Sequence, residues 1–330
     1  MYVGHGLLGI SLGGTLARAL GLDRSRSLAL ALLAGAFAVV PDVDMARTAI
    51  AVVSAGPGAV FPTTEHVWTK SWVVHRSLTH SLISAGLAAT MVTAVVGLLR
   101  GRAARSLAAR TGLLAGTVGP VLALLWIARE SDALLGVAII GLYVGAALLV
   151  AGYAARRGVR AGHVGLAAVV GLGTHPFGDV WMGTPPTFLY PVLTTPPFET
   201  VVFAGDPTLN LLTLFGIEVA LAWAALAVVS DLSGYALRDH LDPQAGLGVG
   251  FAAVLPIIPP PTLKVAYQFA LGTIATGFLL GIAPSAWPDR LAVRTDGGAR
   301  RHRPLAVLVT ALAGATAALL GYLVAYLAVG

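Results

Sequence analysis

The 330-residue chain contains no cysteine, which excludes disulfides, thiolate metal sites and cysteine nucleophiles and leaves the redox compartment unreadable. Charge is also scarce. Only 11% of the residues are Asp, Glu, Lys or Arg, against about 25% in a soluble protein. No hydrophilic stretch is long enough to fold as a soluble unit, so the composition excludes a soluble enzyme. The opening "MYVGHGLLGISLGG" lacks a basic n-region and sets a histidine in its apolar stretch, so the first segment is expected to stay in the mature protein. No internal repeat and no low-complexity tail is found.

What is present is apolar. Hydrophobic residues make up 57% of the chain, in runs of the roughly 20 residues that a helix needs to cross a bilayer. Periodicity and breakers predict an all-α, polytopic membrane protein of about ten apolar segments, near 5–20, 27–40, 81–99, 112–128, 133–152, 162–174, 208–229, 246–258, 265–283 and 305–328. Four are short for a full span, the first, second, sixth and eighth, and are expected to be tilted, re-entrant or interfacial. Two long connections, 41–80 and 175–207, stand out, and long loops in a compact protein are usually functional.

Basic residues report orientation. If the segments alternate across the membrane, one face receives sixteen Arg and the other only five Arg and Lys. The positive-inside rule then makes the first face cytoplasmic and puts both long loops outside, at the cell membrane's external face. The net charge of +6 is read as this bias, and no nucleic acid partner is expected.

Polar residues that orientation does not explain gather at segment ends: His5 in "VGHGLLG", Asp42 and Asp44 in "VVPDVDMAR", His75 and His80 in "HRSLTHS", and His175 and Asp179 in "GTHPFGDVW". In the topology drawn from the arginines alone, all four clusters fall on the external side. The four-residue spacing of His175 and Asp179 puts both on one helix face. Pro176 suits a first turn, so His175 is expected to enter a helix. Alone, this pair reads equally as a structural hydrogen bond. Asp42 and Asp44 follow an apolar helix, where partial negative charge disfavours unpaired carboxylates unless a cation offsets them; a solvated turn is the other reading. His75 and His80 converge on one ion only if His75 lies in the preceding turn and His80 in the first turn of the helix, with Ser77 or Thr79 as N-cap. Arg76 reads as a clamp for an anionic oxygen or as a salt-bridge partner. Histidines and carboxylates together, without thiols, suit a mixed N/O site for zinc or another divalent ion, and more than four donors suggest two or more ions.

An N-terminal His, then "PDVD", then "HRSLTHS", then HxxxD resembles the YdjM-like family of membrane-bound metal-dependent hydrolases, itself similar to zinc-dependent phospholipases C and single-strand zinc nucleases. The resemblance covers roughly residues 1–207 and implies ligation by His5, Asp42 or Asp44, His75 or His80, His175 and Asp179. Ser77 stands where the family usually has Gly. The second ligand pair of the soluble zinc enzymes is not found. Residues 1–207 are therefore expected to form a membrane-embedded hydrolase core and 208–330 a helical extension.

The expected chemistry is hydrolysis of a phosphoester, a phospholipid among the candidates, by metal-activated water, with Arg76 adding positive charge and Asp44 accepting the proton. Membrane lipids are the expected partners. Two other classes share the pattern: a transporter, which should place ionisable groups near mid-membrane, and a metal-binding membrane protein without activity.

Overall fold

A computed structural model describes residues 2–46, 76–101, 106–131, 133–181, 185–262, 266–283 and 303–329. Among them every regular element is helical. They fall into two compact units, Met1–Val201 and Val202–Gly330.

The first unit contains α1 (Tyr2–Ala19), α2 (Arg24–Ala38), a 3-10 turn (Pro41–Met45), α3 (Leu82–Leu99), α4 (Leu107–Ser131), α5 (Ala133–Arg156) and α6 (Ala161–Gly178). Their ends follow local chemistry. Asp23 caps α2 by accepting the Arg26 amide at 2.9 Å. Gly21, at φ +71°, makes the left-handed step between α1 and α2 that side chains resist. In lipid, apolar surface gains little by leaving one hydrocarbon environment for another, so helices associate through close approach of small residues. Here α6 is the central wedge. A Cβ on Gly171 would strike the carbonyl of Ala34 and lie 2.7 Å from the Ala38 nitrogen. One turn later on α6 comes His175. Phe37, Leu78, Met91, Leu124, Ile140, Tyr143 and Leu172 fill the core between these helices.

The second unit contains α7 (Pro207–Ser233), 3-10 segments Leu237–His240 and Pro243–Val254, α8 (Ala266–Ile282) and α9 (Arg303–Val329). Asp206 caps α7 by accepting the Leu209 amide at 2.7 Å. That bond, with the Tyr326 hydroxyl, outweighs the opposing effect of burial and lowers its carboxyl pKa. Gly234, at φ +79°, closes the same helix. Close contacts recur: a Cβ on Gly277 would meet the Ala311 carbonyl and lie 2.7 Å from the Ala315 nitrogen. Phe215, Phe251, Phe269 and Tyr322 pack edge to face in its core.

Among the described residues, six helical stretches are long and apolar enough to cross a membrane: Arg24–Met45, Leu82–Leu99, Leu107–Arg129, Gly136–Arg156, Pro207–Ser233 and Pro304–Val329. The expected count of about ten segments therefore divides differently. Segment 246–258 lies largely in a 3-10 segment rather than an α-helix, because Gly246, Gly248 and Gly250 alternate between Pro243 and Pro256 and weaken α propensity. Segment 265–283 shortens to the 17 residues of α8.

Candidate metal centre

The four polar clusters meet at one end of the first unit. The chain order explains how: α1 begins there, α2 and α6 end there, and α3 begins there. His5 comes from the first turns of α1, Asp42 and Asp44 from the 3-10 turn after α2, His80 from the residue before the α3 cap, and His175 and Asp179 from the end of α6. His75 lies outside the described residues.

Two local details differ from expectation. The α3 cap is Ser81 rather than Ser77 or Thr79: its oxygen accepts the Ile83 amide at 3.1 Å, and its hydroxyl donates to the Tyr190 carbonyl at 2.7 Å. His80 thereby sits immediately before a fixed helix start. The HxxxD stretch closes a helix instead of opening one, with Pro176 inside the last turn of α6 and Asp179 as C-cap. Tertiary fastening overrides the proline here. Ala38 ends α2, where carbonyls lack a helical donor, and His175 Nδ1 donates to the Ala38 oxygen at 2.6 Å.

These bonds fix the histidine tautomers. A carbonyl can only accept, so the His175 proton is on Nδ1 and Nε2 carries a lone pair. Thr79 Oγ1 donates to Asp44 Oδ2 at 2.5 Å and lies 2.9 Å from His80 Nδ1. Having spent its one proton on the carboxylate, the hydroxyl accepts from His80 Nδ1, so in the neutral ring the Nε2 lone pair of His80 faces His175. The two Nε2 atoms are 2.9 Å apart. Facing lone pairs at that distance repel unless a positive centre lies between them.

Carboxylates complete the cluster. Asp179 Oδ2 is 3.2 Å from His80 Nε2, and Asp42 Oδ1 is 3.6 Å from His175 Nε2 and 3.9 Å from His80 Nε2. Ligands about 2.0–2.1 Å from a tetrahedral ion stand about 3.4 Å from one another, and the separations here bracket that spacing. Among the described residues, two triads could hold an ion, His5 with His175 and Asp179, and Asp42 with His80 and His175. The residues present thus fit a divalent cation. His175 belongs to both triads but has one free ring nitrogen.

Burial sharpens the electrostatics. His80 and His175 are fully buried, and Asp179 nearly so. Burial, reinforced by the nearby His5 and His80, holds the His175 pKa well below the ordinary imidazole value, so the neutral ligand form persists. For Asp179, burial works toward a higher pKa, but the hydrogen bond with His5 and the field of Arg76 help to outweigh it and hold the carboxyl well below its ordinary value. His5 Nε2 lies 3.2 Å from Asp179 Oδ1 and its ring stacks on His175 with centroids 3.8 Å apart.

Arg76 and Asp44 stand behind the cluster. Arg76 Nη1 donates to the Asp179 backbone carbonyl at 3.1 Å, a favourable place for a cation at a helix C-terminus. Asp44 approaches His80 from the Nδ1 side, at 3.6 Å, opposite the nitrogen that faces His175. Asp206 is the cap of α7. The sequence offered Thr79 only as a candidate cap and gave no sign of the Ala38 carbonyl: a backbone carbonyl leaves no trace there, whereas Ser81, directly before the apolar run, carries the usual mark of an N-cap.

No curated protein and no solved structure matches the chain. A family model described as YdjM inner membrane protein matches residues 1–238, a span that contains every residue of this centre. The chain belongs to the YdjM inner membrane protein family.

Proposed function

We propose that the chain is a membrane-bound metal-dependent hydrolase that cleaves a phosphoester, the headgroup linkage of a phospholipid being the substrate class that suits its setting. One observation carries the reading: His80 Nε2 and His175 Nε2 face each other at 2.9 Å with Asp42 and Asp179 beside them. Those four side chains would hold a divalent ion, with His5 steadying Asp179. Zinc suits the nitrogen and oxygen donor set best. When bound, such an ion supplies Lewis acidity toward a water and a phosphoryl oxygen.

The protein's own groups do the rest. Arg76 joins His5 in keeping Asp179 ionised and offers permanent positive charge to a phosphoryl oxygen. Asp42 retains 11% side-chain exposure while His80 retains none, so it is the carboxylate nearest the surface, and we assign to it the acceptance of the water's proton. Asp44, on the far side of His80, positions that ring instead. Charge also suggests sidedness. Arg18, Arg24, Arg26, Arg100, Arg110, Arg156, Arg157 and Arg160 lie at the helix ends opposite the centre, which makes that end cytoplasmic and the centre external.

Depth of burial favours one second reading, a metal-binding membrane protein without turnover, since structural sites are closed and catalytic ones keep an open position. Hydrolysis separates the two. Purified zinc-loaded protein should cleave short-chain phospholipids or an activated phosphodiester, and Asp179→Ala should abolish cleavage while the protein still inserts in the membrane. Zinc-replete protein inactive on both substrates would favour the second reading. Sidedness is checked on intact cells with an impermeant thiol reagent: Val192→Cys should label and Ser106→Cys should not, and the reverse would put the centre in the cytoplasm.

A further inference from the structure

A neutral His80 has one imidazole proton, and among the described residues three buried groups compete for it. On the Nε2 side, the His175 Nε2 lone pair at 2.9 Å would accept it, and the Asp179 carboxylate, with Oδ2 3.2 Å away, would attract it. On the Nδ1 side stands Thr79 Oγ1 at 2.9 Å. A proton on Nε2 would occupy the lone pair that a cation needs, so the winner decides whether the centre is ready for a metal. Asp44 cannot win it directly, because its nearer oxygen is 3.6 Å from Nδ1, beyond hydrogen-bond reach. The threonine hydroxyl spans that gap. It donates to Asp44 Oδ2 at 2.5 Å, and its oxygen is thereby turned into an acceptor for the ring. All three residues are almost wholly shielded from solvent, so water competes little for these bonds, and bonds to a charged partner are stronger than neutral ones.

We propose that Thr79 is a positioning residue of the centre: it couples Asp44 to His80 and holds His80 in the tautomer whose Nε2 lone pair faces His175, Asp42 and Asp179. The Ala38 carbonyl does the same for His175 through its bond to Nδ1. The two ligand nitrogens are set before any ion arrives, one by a hydroxyl-bridged carboxylate and one by a helix-terminal carbonyl. Outer partners of this kind fix ring orientation and raise ligand basicity. The proposal rests on the metal-centre reading above, but its primary readout needs no metal.

The experiment is nitrogen-15 NMR of the histidine rings in the full-length, metal-free protein in detergent, with His80 assigned by its own substitution, alongside zinc affinity measured by chelator competition. Wild-type His80 should carry its proton on Nδ1. Thr79→Val, which keeps the shape but not the hydroxyl, should move that proton to Nε2 and weaken zinc binding by about 10–100-fold, the usual cost of losing an outer partner. Thr79→Ser should restore both. Wild-type His80 protonated on Nε2 would overturn the proposal whether or not the valine variant folds. So would a valine variant with unchanged tautomer and zinc affinity. Wild-type protein that binds no zinc yet shows the Nδ1 proton would support the relay while overturning the metal reading, so the two fail separately.

Discussion

The two units are built by the same packing rule and differ in what they bury. In the first, Gly171 brings α6 against α2; in the second, Gly277 brings α8 against α9. Close approach of helices through glycine therefore does not by itself make a site. In the first unit the approach ends at helix termini that carry His80, His175, Asp42 and Asp179. In the second, buried polar groups such as Thr273 and Gln244 bond to backbone carbonyls nearby, and among the described residues no triad of metal donors forms. The lesson is that α2, α3 and α6 place ends, rather than faces, at a common point, where backbone carbonyls and capping residues are available to orient side chains.

The comparison can be broken most sharply by removing one histidine from each unit. His175→Ala should lower zinc affinity by more than the roughly 100-fold that outer partners cost, because it deletes a direct donor common to both triads. His240→Ala, which removes a buried ring bonded to the Ala236 carbonyl at 3.0 Å, should leave zinc affinity unchanged. Chelator competition on both purified variants measures this, and equal losses would dissolve the distinction between the units.

A smaller effect sharpens the packing half of the comparison. Gly171→Ala and Gly277→Ala each insert a methyl group where backbone already sits, and overpacking of this kind costs about 1–3 kcal/mol. Both should lower the thermal midpoint. Only Gly171→Ala should also weaken zinc binding, by about tenfold if the shift of His175 acts like loss of an outer partner. Thermal scans with and without zinc read both effects.

Much of this was legible in the sequence. The helical membrane fold follows from apolar runs with few charges, and the clusters declared themselves as histidines and carboxylates at the ends of those runs. The direction of the HxxxD stretch was not legible. Pro176 locally favours a helix start, but the bond from His175 to the Ala38 carbonyl spans 137 residues of sequence, and no local rule can see it. The alternating glycines of 246–250 did carry a signal against an α-helix, which apolar character masked. Asp44 was readable as a carboxylate near the centre but not as one behind His80, because that depends on which ring nitrogen it approaches. The expected pair of ions also meets a geometric limit at His175, whose Nδ1 is committed to a carbonyl.

The central claim is that these buried donors form a metal centre, and the most direct measurement is the metal content of the purified protein by mass spectrometry after dialysis against trace zinc. The account predicts at least one tightly held zinc per wild-type chain and none in the His80→Ala/His175→Ala double variant. Wild-type protein that is folded, correctly inserted and free of zinc and every other divalent transition metal would contradict it.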